Sequence, residues 1–375
     1  MKVFVLMVLT MFPPALFQAG RNEAVKEPVI IQDLGEHNGS RVSLFTLTNS
    51  KGNVLRLTNY GARIVGVEVP DRDGKRENVT MGGDTFEQIV KGDLFGGATI
   101  GRFANRIANG KFSLDGVEYS LPVNNRPNTL HGGNNGWFSK VWTGEMVKGR
   151  DPAVRFTYVS PDMEEGFPGT MTVSVTYTWT AGNEIVMEYQ ASTDKKSVVN
   201  LTNHAYFNLH GAGNGYIFDH ILTMNASSYT PVDATLIPTG EIRPVKDTPF
   251  DFSTPRVIGD RIGEEYDNGV INGYDHNFVL DNKKKVDASV YDPATGRMLE
   301  VITDQPGMQF YSGNAMMWKK STESGSGSGS ARTRSAFALE SQHYPDSPNK
   351  PEFPSTVIKP GEKFRSVTIY RFSVK

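Results

Sequence analysis

Alternation of apolar and polar residues is the feature that most constrains the fold of this chain. In MTVSVTYTWT, residues 171–180, every second residue is apolar and the residues between are Thr or Ser. Successive side chains of a strand point to opposite faces of a sheet, so the pattern predicts a strand with one buried face. After AGN at 181–183, the run EIVMEYQAS continues the alternation. The two runs together predict a long β-hairpin.

Other segments extend this β pattern. FSLDGVEYSLPV (112–123) predicts a second hairpin, because Asp115-Gly116 supplies a two-residue turn that favours positive φ. SVTIYRFSV, near the C-terminus, predicts a further strand. Helical periodicity is scarce, and DTFEQIV (84–90) is the best short candidate, with Asp84 as the expected N-cap and Glu87 three residues on. With 38 Gly and 21 Pro spread along 375 residues, the sequence predicts an all-β fold with many turns and few short helices.

The N-terminus resembles a secretory signal. Lys2 precedes an apolar run from Val3 to Phe12, which is followed by two prolines and by the small residues Ala19-Gly20. The run is shorter than the ~20 residues that span a bilayer, so it predicts a signal peptide over residues 1–19 and a secreted or periplasmic protein without a membrane segment after cleavage. The alternative is a buried N-terminal strand or helix in a cytoplasmic protein.

Composition excludes several classes of function. The chain has no cysteine, which rules out disulfides, thiolate nucleophiles and cysteine-ligated zinc. A formal net charge of −2 gives no electrostatic basis for binding nucleic acid. The low-complexity stretch SGSGSGS predicts a flexible Gly/Ser loop at 324–330 rather than a linker, because too little chain follows it to fold alone. Four glycosylation sequons occur, and Asn200 among them is expected to be buried rather than glycosylated.

Local sequence leaves the chemistry open. His204 lies in the apolar run LTNHAYFNLHG, where a core histidine and a catalytic histidine are equally good readings. Glu340 follows an apolar run and precedes a polar loop, so partial burial is expected to raise its pKa, although a solvent-facing Glu is an even alternative. In GRFANRIANG (101–110) the arginines and asparagines suit sugar hydroxyls, or they clamp loop carbonyls. Asp275 could orient a hydroxyl or a histidine, and it is equally suited to capping a turn. No local spacing is typical of a zinc site.

Taken together, nine stretches resemble the aldose 1-epimerase (galactose mutarotase) family. They occur in the family's order and cover nearly everything from about residue 40 to the C-terminus. The stretches are NYGARIVGVEVPDRDGKRENV, GRFANRIANGKF, NTLHGG, LTNHAYFNLHG, TPVDATLIPTG, TPFDF, GYDHNFVL, PGMQFYSGN and ALESQHYPDSPNKPEFPSTVIKPGE. The resemblance implies a single domain over residues 28–375, folded as a large antiparallel β-sandwich of the galactose mutarotase type (a supersandwich).

The resemblance also implies a site and an activity. It implies interconversion of the α- and β-anomers of aldohexoses such as glucose and galactose, on a monosaccharide substrate, without metal or organic cofactor. The family's acid falls on His204 and its base on Glu340. By the same resemblance, the family's sugar-binding positions fall on Asn105, Arg106, His131, Tyr206, Asp275 and Gln309. Two alternatives stay open at this level, a non-catalytic carbohydrate-binding protein and a glycoside hydrolase using Glu340 and Asp275. The preferred sugar and the oligomeric state do not follow from the sequence.

Overall fold

Three large antiparallel sheets build the described part of the fold, and the hairpin predicted at 171–193 lies in the largest of them. The computed structural model describes residues 28–83, 85–91, 95–264, 273–281, 285–315 and 333–375. The first sheet is a five-stranded meander of Val29–His37, Ser40–Thr48, Val54–Thr58, Arg63–Pro70 and Arg76–Asn78. The central sheet has nine strands in the spatial order Thr143–Val147, Ala153–Ser160, Met171–Trp179, Glu184–Thr193, Phe364–Val374, Arg297–Thr303, Ala288–Tyr291, Ile221–Met224 and Arg256–Val257.

A third sheet, which we call the site sheet, carries several of the polar candidates. Its five strands follow the spatial order Arg243–Pro244, Ala226–Thr230, Asp275–Leu280, Gly307–Tyr311 and Ala338–Gln342. Five short antiparallel pairs complete the strands of the described residues. They are Lys111–Leu114 with Val117–Ser120, Arg106–Ile107 with Thr129–Leu130, Ser197–Val198 with Val357–Ile358, Thr99–Ile100 with Thr202–Asn203, and Thr80–Met81 with Tyr206–Phe207.

One apolar core joins the three sheets. It takes Leu57 from the first sheet, Val175 and Met187 from the central sheet, and Phe310 and Leu339 from the site sheet, all of them fully buried. The alternation of the predicted hairpin is responsible for the central part of this core, because its apolar positions all face inward. The prediction of an all-β antiparallel fold is therefore confirmed, and with it the hairpin at 171–193.

The structure also contains the second predicted hairpin and the predicted short helix. The second hairpin turns at Asp115 and Gly116, with φ of 50° and 80°, as the Asp-Gly pair predicts. The helix runs over Phe86–Lys91. Its start is capped reciprocally by Thr85 and Gln88, one residue later along the chain than the predicted pair. The Thr85 hydroxyl accepts the Gln88 N–H at 3.3 Å, and the Gln88 side-chain oxygen accepts the Thr85 N–H at 3.2 Å.

The remaining helical segments are single 3₁₀ turns, at Ala108–Gly110, Trp137–Ser139, Glu164–Gly166, Ile258–Asp260 and Ser347–Asn349. Within the described ranges no helix has the length and apolarity needed to cross a membrane. The predicted signal peptide at 1–19, the expected N-cap Asp84 and the Gly/Ser loop at 324–330 lie outside the described residues.

Candidate active site

The edge strand of the site sheet places Glu340 in the interior. Ala338–Gln342 is buried throughout, and the Glu340 side chain is only 2% exposed. Burial raises the pKa of Glu340 to about 7, because an ionised carboxylate loses its hydration there. Proximity to His204 partly offsets this rise. The prediction that burial raises the pKa of Glu340 is thus confirmed, and the burial is complete rather than partial. The alternative of a solvent-facing Glu340 is wrong.

His204 faces this carboxylate from a separate segment. Its Nε2 lies 3.5 Å from Glu340 Oε1, and its side chain is 5% exposed. Backbone hydrogen bonds fix the residue on both sides, since its N–H donates to the Ala98 carbonyl at 3.0 Å and its carbonyl accepts the Gly97 N–H at 2.8 Å. His204 is therefore a buried histidine held opposite a buried glutamate, which is the arrangement that an acid–base pair requires.

Three more predicted residues form a connected polar group beside this pair. Gln309 is the direct cross-strand neighbour of Glu340. Its side-chain Nε2 donates to Asp275 Oδ1 at 2.7 Å, and the second oxygen of Asp275 lies 3.6 Å from an Arg106 terminal nitrogen. Asp275 is thus neutralised by Arg106 and engaged through both oxygens. This arrangement suits the binding of hydroxyl groups, and it leaves Asp275 poorly prepared to act as a nucleophile.

Arg106 is oriented by two asparagines. Its Nε donates to Asn125 Oδ1 at 3.1 Å, and Asn105 Oδ1 accepts from both the backbone N–H and a terminal nitrogen of Arg106. Asn105 has a positive φ of 63°, a conformation that asparagine tolerates better than most residues. Sequence reasoning found Asn105 and missed Asn125, which lies in a polar loop without any distinguishing pattern.

His131 is a neutral hydrogen-bond donor. Its Nδ1 accepts the backbone N–H of Asn105 at 3.1 Å, so the proton of the neutral ring resides on Nε2. Burial holds its pKa well below the ordinary value, and the nearby His204 and Arg106 lower it further. The His131 and His204 ring centroids are 5.1 Å apart in an edge-on arrangement. His131 therefore offers an N–H to this site and is not prepared to accept a proton.

Two aromatic rings enclose the histidines. Tyr206, predicted from the sequence, has its ring centroid 4.8 Å from that of His204. Phe95 was not predicted, yet its ring lies 4.7 Å from His131 and 6.1 Å from His204 between centroids. The only sequence signal for Phe95 is its place directly before the Gly96-Gly97 pair. Phe95 contributes to excluding water from both imidazoles.

Two histidines and a glutamate of this site are close enough together to be considered as metal ligands. Ligand atoms of His131, His204 and Glu340 lie within 4.8 Å of one another. A metal needs a nitrogen lone pair from each histidine, but His131 uses its Nδ1 lone pair for the Asn105 N–H and carries its proton on Nε2. The donor set therefore does not fit a metal ion without loss of that hydrogen bond.

The Arg/Asn cluster of residues 101–110 divides into two functions. The Arg102 guanidinium donates at 2.8 Å to each of the carbonyls of Pro168 and Gly169 and at 2.6 Å to Ser160 Oγ. Arg102 therefore binds loop carbonyls, the second of the two roles that the sequence allows, whereas the Arg106 side chain reaches Asp275. Asn109 donates its backbone N–H to Asn128, away from the residues described above.

Comparisons with known proteins agree with this geometry. The aldose 1-epimerase family model matches residues 43–371. The chain belongs to the aldose 1-epimerase family. It is 43% identical over 338 residues to a galactose mutarotase from Rattus norvegicus, covering 90% of this chain and 95% of that protein. It is 37% identical over 340 residues to an aldose 1-epimerase from Escherichia coli, covering 89% of this chain and 96% of that protein.

Solved structures of the family share the fold. A crystal structure of an aldose epimerase homologue from C. elegans superposes with a TM-score of 0.80 at 30% identity, covering 89% of this chain and 99% of that one. A galactose 1-epimerase from Lactobacillus acidophilus gives the same TM-score at 26% identity, covering 92% of this chain and 98% of that one. The galactose mutarotase-type architecture that the sequence resemblance implies is therefore confirmed.

Proposed function

We propose that this protein is an aldose 1-epimerase that interconverts the anomers of aldohexoses such as galactose and glucose. The observation that carries the proposal is the buried pair of His204 and Glu340, with 3.5 Å between Nε2 and Oε1. Ring opening requires a proton on the ring oxygen and removal of the anomeric hydroxyl proton. Both oxygens are bonded to the same carbon, so an acid and a base a few ångströms apart serve them together.

In the proposed mechanism His204 donates its proton to the ring oxygen while ionised Glu340 accepts the anomeric proton. The C1–O5 bond breaks and the C1–O1 bond becomes a carbonyl, giving the open-chain aldehyde. Rotation about C1–C2 presents the other face of the carbonyl to the C5 hydroxyl. Ring closure then reverses both transfers and restores the enzyme. The neutral His131 Nε2–H is available to stabilise charge that develops on the ring oxygen.

The polar group around Asp275 is assigned to substrate binding. Arg106, Asp275 and Gln309 present fixed donors and acceptors for hydroxyls that take no part in the reaction. Asn105 orients Arg106, and Tyr206 forms part of the pocket wall next to His204. Holding the far end of the sugar leaves C1 free to rotate in the aldehyde intermediate. Positioning of this kind lowers the entropic part of the barrier.

The two competing functions fit the site less well. A glycoside hydrolase needs a second carboxylate that is free to act as nucleophile or base. Asp275 is instead bonded to Gln309 and paired with Arg106. A carbohydrate-binding module has no use for a carboxylate whose pKa burial raises to about 7, since burying that group costs stability and brings a binding protein nothing in return.

Polarimetry tests the proposal directly. Freshly dissolved α-D-galactose and α-D-glucose should approach equilibrium rotation faster with protein than with buffer alone. His204→Gln and Glu340→Gln should each reduce the catalysed rate by about 10²–10⁴-fold, the usual contribution of one proton-transfer group. Release of reducing sugar from a nitrophenyl glycoside would instead support a hydrolase. Sugar binding by calorimetry without any acceleration of mutarotation would support a binding module.

We also propose that the protein is exported. The support is the N-terminal run of Lys2 followed by apolar residues to Phe12 and small residues at Ala19-Gly20. An exported enzyme of this kind would act on sugars outside the cytoplasm. Sequencing the N-terminus of the native protein tests this. A mature chain that begins near residue 20 supports export, and an intact Met1 in a cytosolic fraction contradicts it.

A further inference from the structure

The segments that carry the proposed acid, base and arginine meet at one buried side chain. Asn200 is completely buried and lies four residues before His204. Its Oδ1 accepts the backbone N–H of His343 at 2.9 Å, and its Nδ2 donates to the His343 carbonyl at 3.2 Å. The carboxamide thus pairs with both backbone groups of His343, much as the backbone of a neighbouring strand would do.

The same residue is bonded to a third segment. Its Nδ2 also donates to the Ala104 carbonyl at 3.3 Å. Its backbone N–H donates to the Arg102 carbonyl at 3.1 Å, and its carbonyl accepts the Ala104 N–H at 2.8 Å. Asn200 therefore connects the segment before His204 with the segment before Arg106 and with the segment that follows Glu340.

The segments of His204 and Glu340 lie in different sheets and are joined by two cross-links, one on each side of the pair. Phe207 and Phe337 exchange backbone hydrogen bonds at 2.8 and 2.9 Å, and Asn200 with His343 forms the other link. Ala338–Gln342, which carries Glu340, is the outermost strand of the site sheet. The segment of His204 is paired with Thr99–Ile100, and that of Arg106 with Thr129–Leu130. Since each segment belongs to a different sheet or strand pair, their separation depends on cross-links between them. The hydrogen bonds of Asn200 reach partners far away in sequence, because His343 is 143 residues from it and Ala104 is 96 residues from it.

We propose that Asn200 is a positioning residue that sets the distance between His204 and Glu340. It touches neither of them and acts through the backbone on each side. The inference rests on the proposed function, because the His204–Glu340 separation matters only if these two residues exchange protons with the substrate. A displacement of about 1 Å in such a pair costs on the order of 10²-fold in rate.

The test compares Asn200 with a buried asparagine that has the same bonding pattern elsewhere. Asn59, directly after the strand Val54–Thr58 of the first sheet, accepts the Ser43 N–H at 2.8 Å and donates to the carbonyls of Arg41 at 3.0 Å and Trp142 at 3.1 Å. Asn200→Asp and Asn59→Asp each replace two donated hydrogen bonds by a carboxylate facing carbonyl oxygens. Asn200→Ala and Asn59→Ala remove the amide without adding charge. The variants are assayed at a temperature at which circular dichroism shows them folded.

We expect both Asn200 variants to lower kcat by about 10²-fold while KM changes much less, since the pair is displaced and the hydroxyl contacts remain. The acid limb of their pH–rate profile should move to lower pH, because water gains access to Glu340. The Asn59 variants should lose similar thermal stability and keep the wild-type kcat and pH profile. If the Asp variant fails to fold, Asn200→Ala and Asn200→Ser provide the same comparison.

Two results would overturn the inference. One is an Asn200 variant with the thermal loss of its Asn59 counterpart but with wild-type kcat and pH profile. The other is a rise in KM at constant kcat, which would assign Asn200 to sugar binding. Failure of the proposed function is distinguishable from both, because the unsubstituted protein would then not accelerate mutarotation.

Discussion

At the scale of single residues, the burial of Glu340 links activity to a cost in stability. Its carboxyl group is 2% exposed and burial raises its pKa to about 7. The unfolded chain ionises near the ordinary pKa of ~4.3, so folding favours the protonated form. The stability from this group is fully present below that value and is lost as the pH rises through about 7. Ionisation of Glu340, the proposed base, therefore lowers the free energy of unfolding.

Glu340→Gln separates the two effects. Because the base must be ionised, the kcat/KM of the wild type should rise with pH through about 7, the pKa to which burial raises Glu340, and Glu340→Gln should be nearly inactive at every pH. The thermal midpoint of the variant relative to wild type should increase between pH 5 and pH 8, since Gln bears no charge to bury. Parallel polarimetry and melting curves measure both. A wild-type acid limb that lies near pH 4 would contradict the burial argument.

At the scale of elements, residues 101–106 must approach the 3₁₀ turn Trp137–Ser139 very closely. A Cβ atom at Gly101 would overlap the buried Trp137 ring, and the Gly101 carbonyl accepts the Trp137 N–H at 3.1 Å. Because Gly101 has no side chain, the backbone of the segment that ends at Arg106 can pack directly against the Trp137 indole. Displacing either partner would move the arginine that holds Asp275.

Gly101→Ala should destabilise the protein by about 1–3 kcal/mol, the usual cost of overpacking a well-filled core. We also expect weaker sugar binding, because Arg106 would shift. Gly149→Ala is the matched control, since Gly149 is exposed and a Cβ there meets its nearest atom, the Asp151 carbonyl oxygen, only at 3.7 Å. Urea denaturation and calorimetric titration with galactose measure the two quantities. Equal stability of the two variants would refute the close-packing argument.

At the scale of the whole molecule, a cluster of His210, Asp219 and Asp292 connects the loop that contains His210 to the end of the central-sheet strand Ala288–Tyr291. His210 Nδ1 lies 3.0 Å from Asp292 Oδ2, and its Nε2 lies 2.8 Å from Asp219 Oδ1. The hydrogen bond to Asp292, together with that to Asp219, raises the pKa of His210 to about 8. His220 accepts the Leu209 N–H at 3.0 Å, and burial lowers its pKa to about 4, so it stays neutral. Both histidines therefore have a structural role in this cluster.

This cluster predicts a pH dependence of global stability. The pKa of His210 in the folded protein exceeds the unfolded value of ~6.5, so its contribution is fully present below pH 6.5 and is lost as the pH rises through about 8. The difference corresponds to at most about 2 kcal/mol. His210→Gln should therefore destabilise the protein at pH 6 and matter much less at pH 9. Urea denaturation at both pH values tests this, with His37→Gln as the control for loss of a histidine. An effect of equal size at pH 6 and pH 9 would contradict it.

The sequence by itself determined the elements that depend on near neighbours. The hairpin of Met171–Trp179 and Glu184–Thr193 follows from period-two alternation, and the Asp115-Gly116 turn follows from the φ that two residues must adopt. The ordered family motifs further identified His204 and Glu340 as a pair. Periodicity alone could not do this, because 136 residues separate them and local patterns carry no information on such distances.

Only the tertiary structure decided which polar residues share an environment. Arg102 and Arg106 have similar local sequences, yet one binds loop carbonyls and the other pairs with Asp275. Phe95 reaches two imidazole rings from a glycine-rich segment without any chemical signature. Burial, hydrogen-bond partners and pKa arise from side chains that different sheets bring together. The sequence specifies such contacts only through the complete fold, which is why they could not be predicted from local patterns.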